Sequence, residues 1–261
     1  MNVIKVSLFE IRKLLVYKFQ FLFSFLHPSL TLMVQVFFWD NVYSTTSNIT
    51  MSKTEIIHYY FCVAFLSVLI KTQAFNIAEE FKTGAIDKEL IRPVSLLKYR
   101  LFRSIGESFF TSICFFIVLP FIAILLRNFY VLSFNISKLF LFLLCSVIGF
   151  FISFFIDFLV GLCVLLIDEV WAVRAITSYA LLFISGYYIP LELLPNTLKI
   201  FMKYTPFYYI MYFPSIIFVS NISLFNLLFG LSVSILWMTT LFIVTKMSIK
   251  KLIKRYSSFG G

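Results

Sequence analysis

The sequence predicts an all-α membrane protein. It should have six transmembrane helices, an N-terminal amphipathic interfacial helix and a re-entrant extracellular segment before the last span. Three observations carry this expectation. Hydrophobic residues make up 61% of the 261 residues and charged residues only 13%, where soluble domains carry about 25% charged. The apolar residues gather into runs that suit a hydrocarbon core roughly 30 Å thick. The basic residues gather between alternate runs. Together with a mean hydropathy of +0.97, this composition excludes an ordinary cytosolic enzyme, a disordered chain and a secreted disulfide scaffold. The net charge of +10 reports topology in such a chain, so nucleic acid is not an expected partner. Cys62, Cys114, Cys145 and Cys163 all lie in apolar runs and read as small hydrophobes, with no disulfide or metal set.

The chain reads as a single transmembrane domain over residues 1–261, and its elements follow in order. Over residues 1–18, Ile4, Leu8, Ile11 and Leu15 recur at helical spacing, with Phe19 next in the series. Lys5, Glu10, Arg12, Lys13 and Lys18 are interleaved, which is the pattern of a helix lying in the bilayer interface. No small-residue cleavage site follows, so a cleaved signal peptide is not expected. The first span is 19–40, with Pro28 inside it. The second is 56–78. Its charge-free part, Ile56–Ile70, is short, so the helix should continue through Lys71 to Ala78, with Lys71 snorkelling to the interface. The third is 104–126, with a kink expected at Pro120. The fourth is 139–167, interrupted by Asp157, and the fifth is 175–191.

The run Tyr204–Thr245 carries no formal charge and is about twice the length that a crossing needs. Pro206 and Pro214 break or kink helices. The economical division gives a sixth span at 222–245 and an irregular, re-entrant extracellular segment at 192–221. Irregular backbone is tolerated at membrane depth only where protein or a wet cavity satisfies it. Residues 246–261 form a basic tail. With both termini on one side, the opposite side holds only Lys53, Arg127, Lys138, Lys199 and Lys203 of the 22 Lys and Arg. The richer side, with both termini, should be cytoplasmic.

Two segments stand out as functional candidates. The cytoplasmic loop 79–103 contains Gly84, placed to end a helix, and then a short amphipathic turn stopped by Pro93. Ile86, Leu90 and Ile91 should share one side of that turn, opposite Asp87, Lys88 and Glu89, and could dock into a partner's groove. The alternative is a solvated loop on the membrane surface. After the fifth span, Gly186, Pro190 and Pro195 precede Pro206 and Pro214, a density that marks broken helices. This segment suits an external gate, or else an apolar cap on the span tops. Asp157 is an acid inside an apolar run. It suits either an interfacial pair with a base such as Arg174 or a translocation role. Asp168 and Glu169 should be solvated in a tight turn, and Glu107 should pair with an arginine such as Arg103.

Catalytic constellations are missing. His27 and His58 sit in different spans, and the eight glycines form no phosphate-binding Gly-x-x-x-x-Gly-Lys-Ser/Thr loop. A membrane-embedded enzyme is therefore disfavoured, and any energised work must draw on another chain or on an ion gradient. A gradient-driven carrier or channel stays open as the alternative, with Asp157 then essential.

The ordered combination resembles the permease (membrane) subunit of type-2 ATP-binding-cassette exporters, in the short bacterial branch encoded beside a separate ATPase. It comprises the basic amphipathic N-terminus, the six spans and the loop from Glu80-Phe81-Lys82-Thr83-Gly84-Ala85-Ile86 to Leu90-Ile91-Arg92-Pro93. It also comprises the segments Gly186 to Pro195 and Pro206-Phe207 to Pro214. The resemblance implies a multi-pass protein of the bacterial cytoplasmic membrane. Two permeases, identical or paralogous, would pair above two ATPase subunits that bind ATP and Mg²⁺, with no cofactor in this chain. It implies that Glu79, Glu80, Gly84, Ile86, Leu90, Arg92 and Pro93 form the coupling element. Gly186, Pro190, Leu191, Leu194, Pro195, Pro206, Phe207 and Pro214 would form the extracellular gate. An apolar or amphipathic cargo, such as a drug, antibiotic, peptide or lipid-like molecule, would pass Phe37, Phe38 and Asp157. The connection between spans three and four is very small, so a large external ligand is not expected.

Overall fold

A computed structural model describes residues 3–45, 50–70, 74–126, 135–167 and 171–253. The described residues form helices α1 (Val3–Val16), α2 (Lys18–Thr45), α3 (Lys53–Leu69), α4 (Ala74–Lys82), α5 (Asp87–Leu90) and α6 (Leu96–Leu125). They continue with α7 (Ile136–Leu162), α8 (Trp171–Ile184), α9 (Asn196–Lys203), α10 (Tyr212–Val219) and α11 (Leu224–Leu252), and contain no strand. Four helices are long and apolar enough to cross a membrane: Phe21–Thr45, Leu96–Leu125, Ile136–Leu165 and Leu224–Lys251. They fall on the expected spans 19–40, 104–126, 139–167 and 222–245.

The other two expected spans take a different form. α3 has 17 residues and α8 has 14, which makes them about 26 and 21 Å long. The expected continuous helix over 56–78 is interrupted, because Ile70 turns extended (φ −96°, ψ 92°) and α4 starts afresh at Ala74. Lys71 lies outside the described residues. α8 stops at Ile184, short of 191, because the chain turns at Gly186, whose φ of 77° belongs to the left-handed region. The connection over 127–134, the acids Asp168 and Glu169, and the end of the basic tail over 254–261 also lie outside the described residues.

Two helices run past the charges that were expected to bound them. α6 starts at Leu96, so Lys98, Arg100 and Arg103 lie in its first turns and not in a loop. α11 continues through Lys246 to Leu252, and Lys250 and Lys251 in its last turn face the negative end of its dipole favourably. Local chemistry fixes the starts. Ser52 and Glu55 form a reciprocal capping box at α3, and the Asn135 side chain accepts from Ser137 N–H at α7. The Lys53 ammonium pairs with Asp40, which closes the turn between α2 and α3.

α3 is the centre of the bundle. Its flank packs against α2, α6 and α10, while α7 packs against α4, α10 and α11. Apolar residues surround α3, and from Ile56 to Leu69 nearly all are buried. That is the pattern of a helix with neighbours on all sides. Lipid offers no hydrophobic drive for helix pairing, so close approach at small residues carries much of the association. α1 shows this directly. A Cβ at Gly106 of α6 would lie 2.6 Å from Ser7 Cα, and Ser7 Oγ donates to Phe102 O at 2.6 Å. α1 therefore presents Val6, Glu10 and Leu14 inward, while Leu8 and Leu15 of the expected apolar stripe face outward.

This contact yields a prediction. Gly106→Val forces α1 off α6 and lowers stability by about 1–3 kcal/mol, read as a fall in melting temperature of the detergent-purified protein. Leu8→Ala, at an exposed position of the same helix, changes it by less than about 0.5 kcal/mol.

Candidate functional site

The connection between α4 and α6 is built around charge. Arg100, on the first turns of α6, is only 1% exposed. Its Nε donates to Glu89 of α5 at 2.5 Å, and its Nη2 binds Glu80 of α4. One helical turn further on, Arg103 Nε lies 3.1 Å from Glu10 of α1, and its Nη1 lies 3.8 Å from Glu80 and 3.7 Å from Glu89. Lys13 of α1 reaches Glu10 at 3.8 Å. Three carboxylates and three cations thus tie α1, α4, α5 and α6 into one body. Arginine suits the centre because its planar fork serves two carboxylates at once and never loses its charge.

An apolar wedge lies beside this cluster. Gly84, with φ 71°, ends α4 as expected, and Ile86 N–H then donates back to Glu80 O at 3.1 Å. The turn drives Ile86 inward to 0% exposure, into a cluster with Ile77, Phe81, Leu96, Phe154, Phe155, Phe158 and Leu162. This corrects the expected docking face. Ile86 and Glu89 are buried, Leu90 is half-buried, and Ile91 is 83% exposed. Of the three apolar residues that were read as sharing a face, Ile86 and Ile91 therefore point opposite ways. Ile86 is a wedge against α7, and Ile91 is a ridge open to the surface. Glu79 and Pro93 are exposed, and Arg92 is half-buried, with its guanidinium 4.5 Å over the Tyr99 ring. Arg103 meets Glu10, Glu80 and Glu89.

The opposite end is closed by the segment between α8 and α11. The turn at Gly186 is held from beneath, since Tyr59 Oη donates to Gly186 O and Tyr60 Oη to Tyr188 O, each at 2.7 Å. Pro190 and Leu191 are buried, Leu194 is half-buried, and Pro195 is exposed just ahead of α9. Pro206 opens a short 3-10 turn, Pro206–Tyr209, and Pro214 lies in the first turn of α10, both positions where no backbone donor is lost. Phe207 is half-buried, while Tyr208 to Ile217 are all buried. Small residues make room for them. A Cβ at Gly149 of α7 would meet Ile210 O at 2.8 Å, and one at Gly230 of α11 would meet the Phe213 ring at 2.2 Å. Tyr212 Oη donates to Glu192 Oε1 at 2.7 Å, and Lys199 pairs with the same carboxylate.

The proposed path residues do not form one site. Phe37 and Phe38 are exposed near the α2–α3 turn. Asp157, half-buried, sits by Phe158 at the opposite end of the bundle, where α7 meets α4. Among the described residues, no group of three His, Cys, Asp or Glu could hold a metal ion. Charge-free windows could not reveal Arg100, Arg103, Glu10 and Glu89, because such windows end where charge begins. The available signal was the spacing of Arg100 and Arg103, three apart on one helical face.

The charge cluster makes a prediction with a sign. Burial, the largest influence, pushes the Glu89 carboxyl above its ordinary value, Glu80 adds to this, and Arg100 and Arg103 oppose it. A raised folded-state value means that Glu89 favours folding most when protonated, and that this contribution fades as pH rises through the folded value. Arg100→Met removes the main opposing cation and strands two carboxylates. It should cost about 3–5 kcal/mol at neutral pH in thermal melts. That deficit should shrink on acidification, and adding Glu89→Gln should recover part of it.

No curated protein matches the chain. The sequence pattern of the ABC-2 family transporter protein matches residues 29–260, from within α2 to the last residues of the chain. That range takes in α3 to α11, with Arg100, Arg103, Glu80 and Glu89, and leaves out α1 with Glu10 and Lys13. The chain belongs to the ABC-2 transporter family and is a membrane-embedded permease component.

Proposed function

We propose that this chain is the permease subunit of an ATP-driven exporter in a bacterial cytoplasmic membrane. It pairs with a second permease, identical or paralogous, above two separate ATPase subunits that bind ATP and Mg²⁺. In this reading the chain crosses six times with both termini cytoplasmic. α3 extended by α4, and α8 extended by the turn at Gly186, complete the two crossings for which a single long helix is not seen. The segment 192–221 dips back as the external gate. The cargo is apolar or amphipathic, of the drug, antibiotic, peptide or lipid-like kind, and enters from the cytoplasm or inner leaflet.

The observation that carries the coupling part is the arrangement around α5. An exposed apolar ridge, Ile91, rises from a loop with exposed Lys82, Lys88 and Pro93, and the back of that loop is locked into the bundle. A groove on a partner would grip Ile91 and read the surrounding charge. Closure of two partners would then push on α5. Ile86 would pass the push to α7, and Arg100 would pass it to α6. Ile86 cannot yield alone without opening a cavity, nor Glu89 without stranding a buried charge.

The test separates gripping from folding. Ile91→Asp should abolish co-purification with the cognate ATPase while leaving the stability of the permease within about 0.5 kcal/mol of the parent. Ile86→Asp should instead destabilise the permease itself. Undiminished co-purification and transport in Ile91→Asp would refute the docking assignment.

A further inference from the structure

At the end of the bundle away from the charge cluster, a cavity of about 480 Å³ opens between α9, α10 and the start of α11. That volume lies within the range of small-ligand sites. Its wall mixes two chemistries. Phe213, seated over Gly230, and Ile216 form an apolar floor. Lys199, Lys203, Asn221 and Asn226 supply polar groups. Lys199 is spent on Glu192, whose other oxygen takes the Tyr212 hydroxyl. Lys203 is different. It has no carboxylate partner among the described residues, and its ammonium rests 5.1 Å over the Phe229 ring. Tyr209 Oη donates to Lys203 O at 2.9 Å, which fixes the backbone that carries this ammonium. The first turn of α11 adds the positive end of a 29-residue helix. The cavity therefore holds one uncompensated positive charge, donors beside it and an apolar floor.

The rim identifies the occupant. On α9, Leu198, Ile200 and Phe201 are exposed, and on α11, Leu224, Phe225 and Leu228 are exposed. Exposed apolar side chains on both flanks of a polar cavity, on a helix long enough to cross a membrane, place its mouth at a lipid interface. A soluble anion would meet the cation but gain nothing from the rim. A phospholipid satisfies both, with its phosphate on Lys203 and Asn226 and its chains along Phe225 and Leu228.

We propose that this cavity is a binding site for the phosphate headgroup of a membrane phospholipid, with Lys203 as its charged anchor. The assignment to the outer leaflet rests on the topology proposed above; the binding itself does not. A bound headgroup would touch Tyr208 and Tyr212, which also line the cavity and pack against the segment at Gly186 through Tyr59. Lipid occupancy would thereby bear on the segment proposed as the gate.

The experiment uses the full chain purified in detergent, with bound phosphatidylglycerol counted by native mass spectrometry during titration. The parent should retain phosphatidylglycerol, and Lys203→Gln should weaken retention about tenfold, as loss of a charge-assisted hydrogen bond implies. Lys250→Gln, at the far end of α11, should leave retention unchanged. Diacylglycerol, which lacks the phosphate, should bind the parent no better than the Lys203→Gln variant. Equal retention by parent and Lys203→Gln would overturn the proposal. So would displacement of the lipid by inorganic phosphate at equal concentration, since the site would then be for a free anion. Leaflet assignment is read separately, by quenching a label at Thr197, exposed on α9 and outside the cavity lining, from outside intact cells. A label protected there, with lipid retention intact, would reject the topology and keep the site.

Discussion

Arg100 is the residue on which the arrangement depends. A guanidinium that is 1% exposed can exist only if carboxylates meet it. Glu80 and Glu89 do so from two different helices, and Arg103 one turn away holds Glu10 of a third. Jointly they decide where α1, α4 and α5 sit relative to α6. The cluster is thus a geometric lock at the end where a membrane protein meets water. The desolvation cost of its charges makes every alternative position of the loop unfavourable.

The two ends of the bundle solve their packing differently. At the Arg100 end the elements are joined by charge and by the Ile86 wedge against Phe154, Phe155 and Phe158. At the other end they are joined by tyrosine hydroxyls that reach backbone carbonyls and by aromatic rings seated over glycines. Tyr59 and Tyr60 bind the carbonyls of the Gly186 turn, and Phe213 fills the space that Gly230 leaves. Hydroxyl-to-carbonyl bonds satisfy irregular backbone that lipid could not satisfy. That allows prolines and short helices to be buried between α3, α7 and α11. α3 touches both devices, because it packs against α6 and carries Tyr59.

Much of this was legible in the sequence, and the failures have physical reasons. The four long helices were readable because strongly apolar runs about as long as a bilayer core have few other stable forms. Gly84 and Gly186 were readable as breaks, and both adopt positive φ. Helix ends were misread wherever charge was taken as a boundary. α6 and α11 simply continue past their charged turns, since Lys and Arg are good helix formers. The inward face of the loop was misread because periodicity over so short a turn cannot tell which side meets the bundle. Ile86 lies on the buried side because Gly84 reverses the chain just before it, and Glu89 follows because Arg100 awaits it. The outward stripe of α1 was found, but its packing face was not. That face is set by Ser7 against Gly106, a contact between residues far apart in the chain.

The central claim is that the α5 loop moves with α6 and α7 as one body. Spin labels at Lys88 on the loop and at Leu166 beyond α7, in a chain whose four cysteines are replaced, report this directly through electron–electron distance measurements. The account predicts one narrow distance distribution that keeps its mean when the cognate ATPase and ATP are added. A broad distribution in the isolated permease, or a mean that shifts on ATP addition, would contradict it, because the loop would then move independently of the helices that it is meant to drive.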